Sequence, residues 1–134
     1  VDWYDIGLHR GDALAGARAA ELIATESPSN YDIFDAAVFA AKAATLRNER
    51  AVEIALAELS YLSDSEIDGG TQKLIAALGG DVTVDGDFGP ASQAAMDGVL
   101  RRLDAGPSET GTVDRILQLA RLTWQQSSFR VDLY

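Results

Sequence analysis

Apolar residues recur at three-to-four spacing through most of the chain, in runs cut by Gly, Pro, Asn and Ser, and this pattern predicts helices joined by short turns. The first helix spans about 12–25, where Leu14, Ala17 and Leu22 form a stripe that stops before Ser27-Pro28-Ser29-Asn30. A second, about 31–46, repeats Ile33, Phe34, Ala37, Val38 and Ala41, with Ser29 or Asn30 placed to cap it. Asn48 separates it from a third, about 49–62, whose Val52, Ala55, Leu56 and Leu59 share a face while Glu49, Glu53 and Glu58 lie mostly elsewhere.

From Ser63 to Gly70 the periodicity breaks. A boundary near Ser63 divides the chain into an amino-terminal helical region, 1–64, and a helical module, 65–134, unless the two pack as one domain. A short fourth helix, about 71–78, is closed by Gly79-Gly80 in the left-handed cap position. Val82-Thr83-Val84 reads as extended, Asp85-Gly86 as a turn, and Pro90 as the opening of a fifth helix that runs to about Leu103. After the break at 104–108, Thr112 caps a sixth helix through Gln126, carrying Val113, Ile116, Leu117, Ala120 and Trp124, and the 127–134 tail reads as extended. The fold class is all-α, a small bundle of about six helices.

Composition narrows the function. At 134 residues, 47% hydrophobic and 24% charged, the chain is long and apolar enough to bury a core. With 11 Lys plus Arg against 21 Asp plus Glu, a net charge of −10 argues against a phosphate backbone as partner. Without cysteine there is no disulfide framework, thiolate metal site or cysteine nucleophile, and no cofactor is expected. The longest apolar runs, such as Ala36 to Ala41, are too short to insert in a membrane, and no signal-peptide pattern is present. A chain opening on Val1 reads as a processed or trimmed product or one domain of a longer protein, with a removed signal among the options.

The most informative run is Val84-Asp85-Gly86-Asp87-Phe88-Gly89-Pro90-Ala91-Ser92-Gln93-Ala94-Ala95-Met96. Asp85-Gly86 makes a tight turn, Phe88 offers a ring to the core, Gly89 permits an unusual backbone angle, and Pro90 opens the helix packed by Ala94, Ala95 and Met96. These residues resemble the peptidoglycan-binding-like domains of bacterial and phage cell-wall enzymes. That family reads apolar, Asp-Gly, any residue, apolar, Gly-Pro, then a Thr/Ser-x-x-Ala helix. Thr71 to Gly79 is similar to the family's preceding helix, apolar-Gln-x-x-Leu-x-x-Leu-Gly, and together the two stretches cover about a third of the chain. Ala120 to Trp124 resembles more loosely the segment that follows the module in some phage-type muramidases. Two departures stand out: Met96 leads into Asp97-Gly98-Val99-Leu100 where the common form has Phe-Gln, and Asp68-Gly69-Gly70 stands where no counterpart of the muramidases' catalytic Glu-Gly-Gly is found.

The resemblance implies a three-helix unit over about Glu66 to Gln126 and non-covalent binding of peptidoglycan, through peptide stem or glycan, with Asp85, Asp87, Phe88 and Ser92 near the ligand. It also implies a periplasmic, extracellular or wall-associated place of action. Asp81, Asp85 and Asp87 cluster, but the alternating ligands and terminal Glu of a calcium loop are missing, so turn chemistry is the preferred reading and no metal is expected. His9, the single histidine, reads as a surface or capping residue. Trp3, Tyr4 and Trp124 read as core plugs ahead of a sugar platform. Glu21, Glu26 and Glu53 are available carboxylates, yet their spacing singles out no acid and base for glycoside hydrolysis, so catalysis is not expected. The alternatives are a fragment of a phage-type muramidase, or an assembly protein whose Ala-rich helices dock on a partner or a second copy. A groove beside Val84–Pro90 favours the binding module, and an exposed apolar stripe within 31–62 favours assembly.

Overall fold

A computed structural model describes residues 17–21, 23, 32–46 and 48–126, and the protein is a small all-α bundle of about six helices. Five are bounded among the described residues: α1 Ile33–Ala44, α2 Glu49–Tyr61, α3 Asp64–Ala77, α4 Pro90–Arg102 and α5 Thr112–Gln126. Residues 17–21 and 23 are helical as well; the rest of the first predicted helix, His9, Glu26, the 127–134 tail and Trp3-Tyr4 lie outside the described residues.

Polar side chains at the entrances decide where the helices start. Asp32 accepts from the Asp35 amide while the Asp35 carboxylate accepts from the Asp32 amide, a reciprocal box that moves the cap of α1 past the predicted Ser29 or Asn30. Asn48 caps α2 through the Ala51 amide, and Ser63 and Glu66 form a second box on α3. That box corrects the sequence reading: α3 begins at Asp64, not near Thr71, and Gly69 and Gly70 lie inside the helix.

Those two glycines are sites of close approach. A Cβ on Gly69 would stand 2.2 Å from Cδ1 of Phe34, and one on Gly70 would stand 2.8 Å from Cβ of Ala37. Absent side chains on α3 therefore let α1 settle against it. Through that contact and others with α2 and α5, α1 joins the two halves divided by sequence at 64/65, while α3 also packs on α5 and α4. Small residues serve the same purpose throughout the core: Ala36, Ala37, Ala40, Ala41, Ala43, Ala51, Ala55 and Ala120 are all at most 1% exposed. Between them sit Leu59, Leu74, Ile75, Met96, Leu100, Ile116 and Leu119, fully buried side chains of which each contributes about 1.5–3 kcal/mol by leaving water.

Both α3 and α4 end in the same way. After α3 the chain turns through Gly79 at φ 92°, with the Gly80 amide donating to Ile75 O and the Gly79 amide to Ala76 O, as the Gly-Gly pair predicts. After α4 the Ala105 amide donates to Leu100 O and the Asp104 amide to Arg101 O, but the left-handed residue is Asp104 at φ 53°. An L-residue pays about 1 kcal/mol there, so Asp104→Gly is expected to raise stability by about that much. Thermal unfolding checks it, and a melting point unchanged or lowered would mean the carboxylate stabilises the turn by another route.

Candidate functional site

The predicted ligand loop rests on one fully buried side chain, with others around it. Gln72 projects from the buried face of α3 that it shares with Ile75, and it is itself 0% exposed. Its Oε1 accepts from the Asp85 and Gly86 amides at 2.9 and 2.8 Å. Its two Nε2 protons are shared among Asp85 Oδ1, Asp87 O and Ser92 Oγ, each at 3.0 Å. One amide group thus fixes both ends of the turn and the first turn of α4. A glutamine fits because it supplies an acceptor and donors within one planar head.

Gly86, at φ 78° and buried, is where the turn demands glycine: a Cβ would stand 2.6 Å from Ser65 Oγ, which donates to Gly86 O. Gly89 is not such a place. Its φ of −102° is open to any residue and a Cβ would meet nothing within 4 Å, so the unusual backbone angle predicted there belongs to Gly86. Pro90 is the first residue of α4, as predicted.

The four candidate ligand residues divide into inner and outer positions. Ser92 is 4% exposed and its hydroxyl serves Gln72. Asp85 and Asp87 are exposed, though Asp85 Oδ1 also accepts from the Asp87 amide at 2.9 Å. That amide and then the Gln72 side chain hold the Asp85 carboxyl below the usual carboxylate range. Phe88 is half-buried, with the Arg115 guanidinium 4.0 Å above its ring centre. Arg115 in turn pairs with Asp68 at 3.0 Å, at 13% and 14% side-chain exposure, and donates to Thr110 O. A pair so buried loses in desolvation much of what it gains in attraction, and its value is in fixing α3, the loop and α5 together.

Sequence reasoning did not single out Arg115, named Asp68 only in the Asp68-Gly69-Gly70 run that lacks a catalytic counterpart, and placed Gln72 only within a family pattern. For Gln72 a signal existed: a polar residue in helical register with the buried Ile75. For Arg115 and Asp68, 47 residues apart, none did. Nor did it find Lys73, which bridges Asp32 and Asp35 at the entrance of α1 at 3.1 and 2.9 Å. Burial opposes ionisation of both Asp32 and Lys73, but their partners outweigh it: Lys73 and the Asp35 amide lower the Asp32 pKa, and Asp35 and then Asp32 raise that of Lys73.

Neither of two clefts formed by described residues is lined by Val84–Pro90. One of about 380 Å³ is lined by Asp97, Leu100, Arg101, Asp104, Gly106 and Pro107 at the end of α4. The other, about 530 Å³, lies along α2 between Leu46, Asn48, Glu49, Val52 and Glu53. Trp124 is in the core at 5% exposure, donating to Thr45 Oγ1 at 2.7 Å, which bears out the reading as a plug. Of the candidate carboxylates, Glu53 is exposed on α2, and Glu21 lies near Glu58, whose pKa is raised by burial and then by the Glu21 charge. Among the described residues no three acidic or histidine side chains gather as metal ligands, and no helix is long and apolar enough to cross a membrane. Compared with protein-family models, curated proteins and solved structures, the chain finds no match.

Proposed function

We propose that α3, the Asp-Gly loop, α4 and α5 form a non-catalytic module that binds bacterial cell-wall peptidoglycan and targets a wall-remodelling or phage-derived protein. The reading starts from the resemblance of Thr71–Gly79 and Val84–Ala95 to peptidoglycan-binding-like domains. The observation that carries it is the Gln72 clamp. The residues that make up the resembling pattern, Gln72, Asp85-Gly86 and Ser92, meet in one hydrogen-bonded unit. That they act together supports reading the pattern as one unit. The clamp leaves Asp85, Asp87 and the 37%-exposed Val84 on the outside of a loop fixed by hydrogen bonds to Gln72. Ser92 then acts from within, by holding the loop.

The test is retention of the full chain on insoluble peptidoglycan sacculi at low and moderate salt, with soluble fragments measured in the same tubes. Retention without release of fragments is expected. Protein left in the supernatant at both salt concentrations overturns the reading, and released fragments would assign catalysis to the chain.

By the criterion read from the sequence, the surface favours assembly as a second reading: neither described cleft is lined by Val84–Pro90, while α2 exposes Tyr61 at 87% and Leu56 at 42% with a cleft of about 530 Å³ along it. Under that reading the protein sediments as a dimer or larger species, and Tyr61→Ser with Leu56→Gln returns it to a monomer.

A further inference from the structure

The smaller cleft, at the carboxyl end of α4, is built from groups of opposite charge around an apolar floor. Leu100, 1% exposed, lies at the bottom, while Asp97, Arg101 and Asp104 stand exposed around it. Among the described residues Arg101 and Asp104 have no side-chain partner, so a guanidinium and a carboxylate are left available at one opening. The far wall, Gly106-Pro107, is held in place. Gln118 Nε2 donates to Pro107 O and Gln118 Oε1 accepts from the Glu109 amide, both at 2.9 Å. Gln93 Nε2 links Asp97 Oδ1 to Ser108 Oγ at 2.9 and 2.8 Å. The wall is thus fixed from α4 and from α5.

Such a cleft suits a ligand carrying both charges. The carbonyl end of a helix favours a cation, and here two carboxylates stand beside it, so an ammonium belongs near Asp97 and Asp104. Arg101 offers paired donors to a carboxylate. A volume of about 380 Å³ is that of a site for a small molecule or a few residues of peptide, not for a folded partner. We infer that the cleft takes a short zwitterionic peptide, and, resting on the wall-binding reading, that this is the peptidoglycan stem, its free side-chain amine between Asp97 and Asp104 and its terminal carboxylate on Arg101. Recognition of the wall is then through peptide and not glycan.

The probe is a synthetic stem pentapeptide with a free lysine amine and a free D-alanyl-D-alanine carboxylate, titrated calorimetrically into the full chain, with sacculi retention measured in parallel. Acetylating the amine or amidating the carboxylate is expected to weaken binding at least tenfold, as are Asp104→Asn and Arg101→Gln. Both substitutions are exposed, and Asn tolerates the left-handed backbone at 104, so the fold is kept. Arg50→Gln, an equal loss of charge on α2, is expected to bind as the wild type. Sacculi retention together with no peptide binding, or with binding indifferent to these changes, overturns the cleft and leaves the wall reading standing. Selective peptide binding without sacculi retention upholds the cleft and removes the wall; failure of both assays overturns both.

Discussion

Gln72→Leu is expected to cost about 4 kcal/mol and to lower the melting temperature by about 15 °C. The leucine fills similar space but leaves the buried Gly86 amide without its acceptor, and the Asp85 amide, Asp87 O and Ser92 Oγ lose their partner as well. Unmet buried groups, not lost contact area, supply the expected cost. Gln72→Glu keeps the shape and replaces the donor by an oxygen facing the Asp85 carboxylate and Asp87 O. It is expected to be as damaging as leucine at neutral pH, and its deficit should shrink on acidification, since burial and Asp85 raise the pKa of the new carboxyl in the folded state. A group with a raised folded pKa gains stability as pH falls through it. The wild type runs the other way: the lowered pKa of Asp85 contributes stability that is full above its unfolded value, 3.8, and is lost as pH falls through the folded one. Denaturant titrations of the three proteins, carried from neutral pH down through and below the carboxylate range, separate these slopes. A leucine variant within about 1 kcal/mol of wild type would mean the loop is held by something other than Gln72.

The second large effect is expected at the contact of α1 with α3. Gly69→Ala drives a methyl into the Phe34 ring and is expected to cost about 3 kcal/mol. Most of that should return in Gly69→Ala with Phe34→Leu, because the clash is with a half-buried side chain that can be made smaller. Gly70→Ala offers no such escape, as its methyl meets Ala37 Cβ and, at 3.1 Å, the Phe34 carbonyl oxygen. Gly98→Ala is the control: it is exposed within α4 with nothing within 4 Å of the added carbon, and a gain of about 0.5–1 kcal/mol is expected. Three glycines in two helices should thus give a reversible loss, an irreversible loss and a gain. Equal gains at all three would show that helix propensity, and not approach, governs them.

Those glycines also show where sequence reading reaches its limit. Local chemistry was legible: Asn48 before α2, Pro90 at the head of α4, the Gly79-Gly80 exit and the Asp85-Gly86 turn each act within a few residues of themselves. Gly69-Gly70 misled because the same residue type that ends a helix also allows another helix to approach it, and only the partner's position distinguishes the two. Asp32 was hidden beside equally good caps, and its advantage comes from Asp35 and from Lys73, 41 residues away. Val82-Thr83-Val84 has the composition of a strand, yet the described residues contain no strand for it to join. At the candidate site the turn was visible and its support was not, since Gln72 and Arg115 act across distances in sequence that a pattern of neighbours does not encode.

The way α1 fits the bare backbone of Gly69-Gly70 bears on modularity. Here the groove on α3 is cut to the shape of a helix that precedes it in the chain, and a severed 65–134 segment would carry that groove open to water. Anyone moving this unit would have to move α1 with it, and Ala17, Ala19, Ala20 and Ile23, buried in the same core, tie the preceding helical residues to it as well.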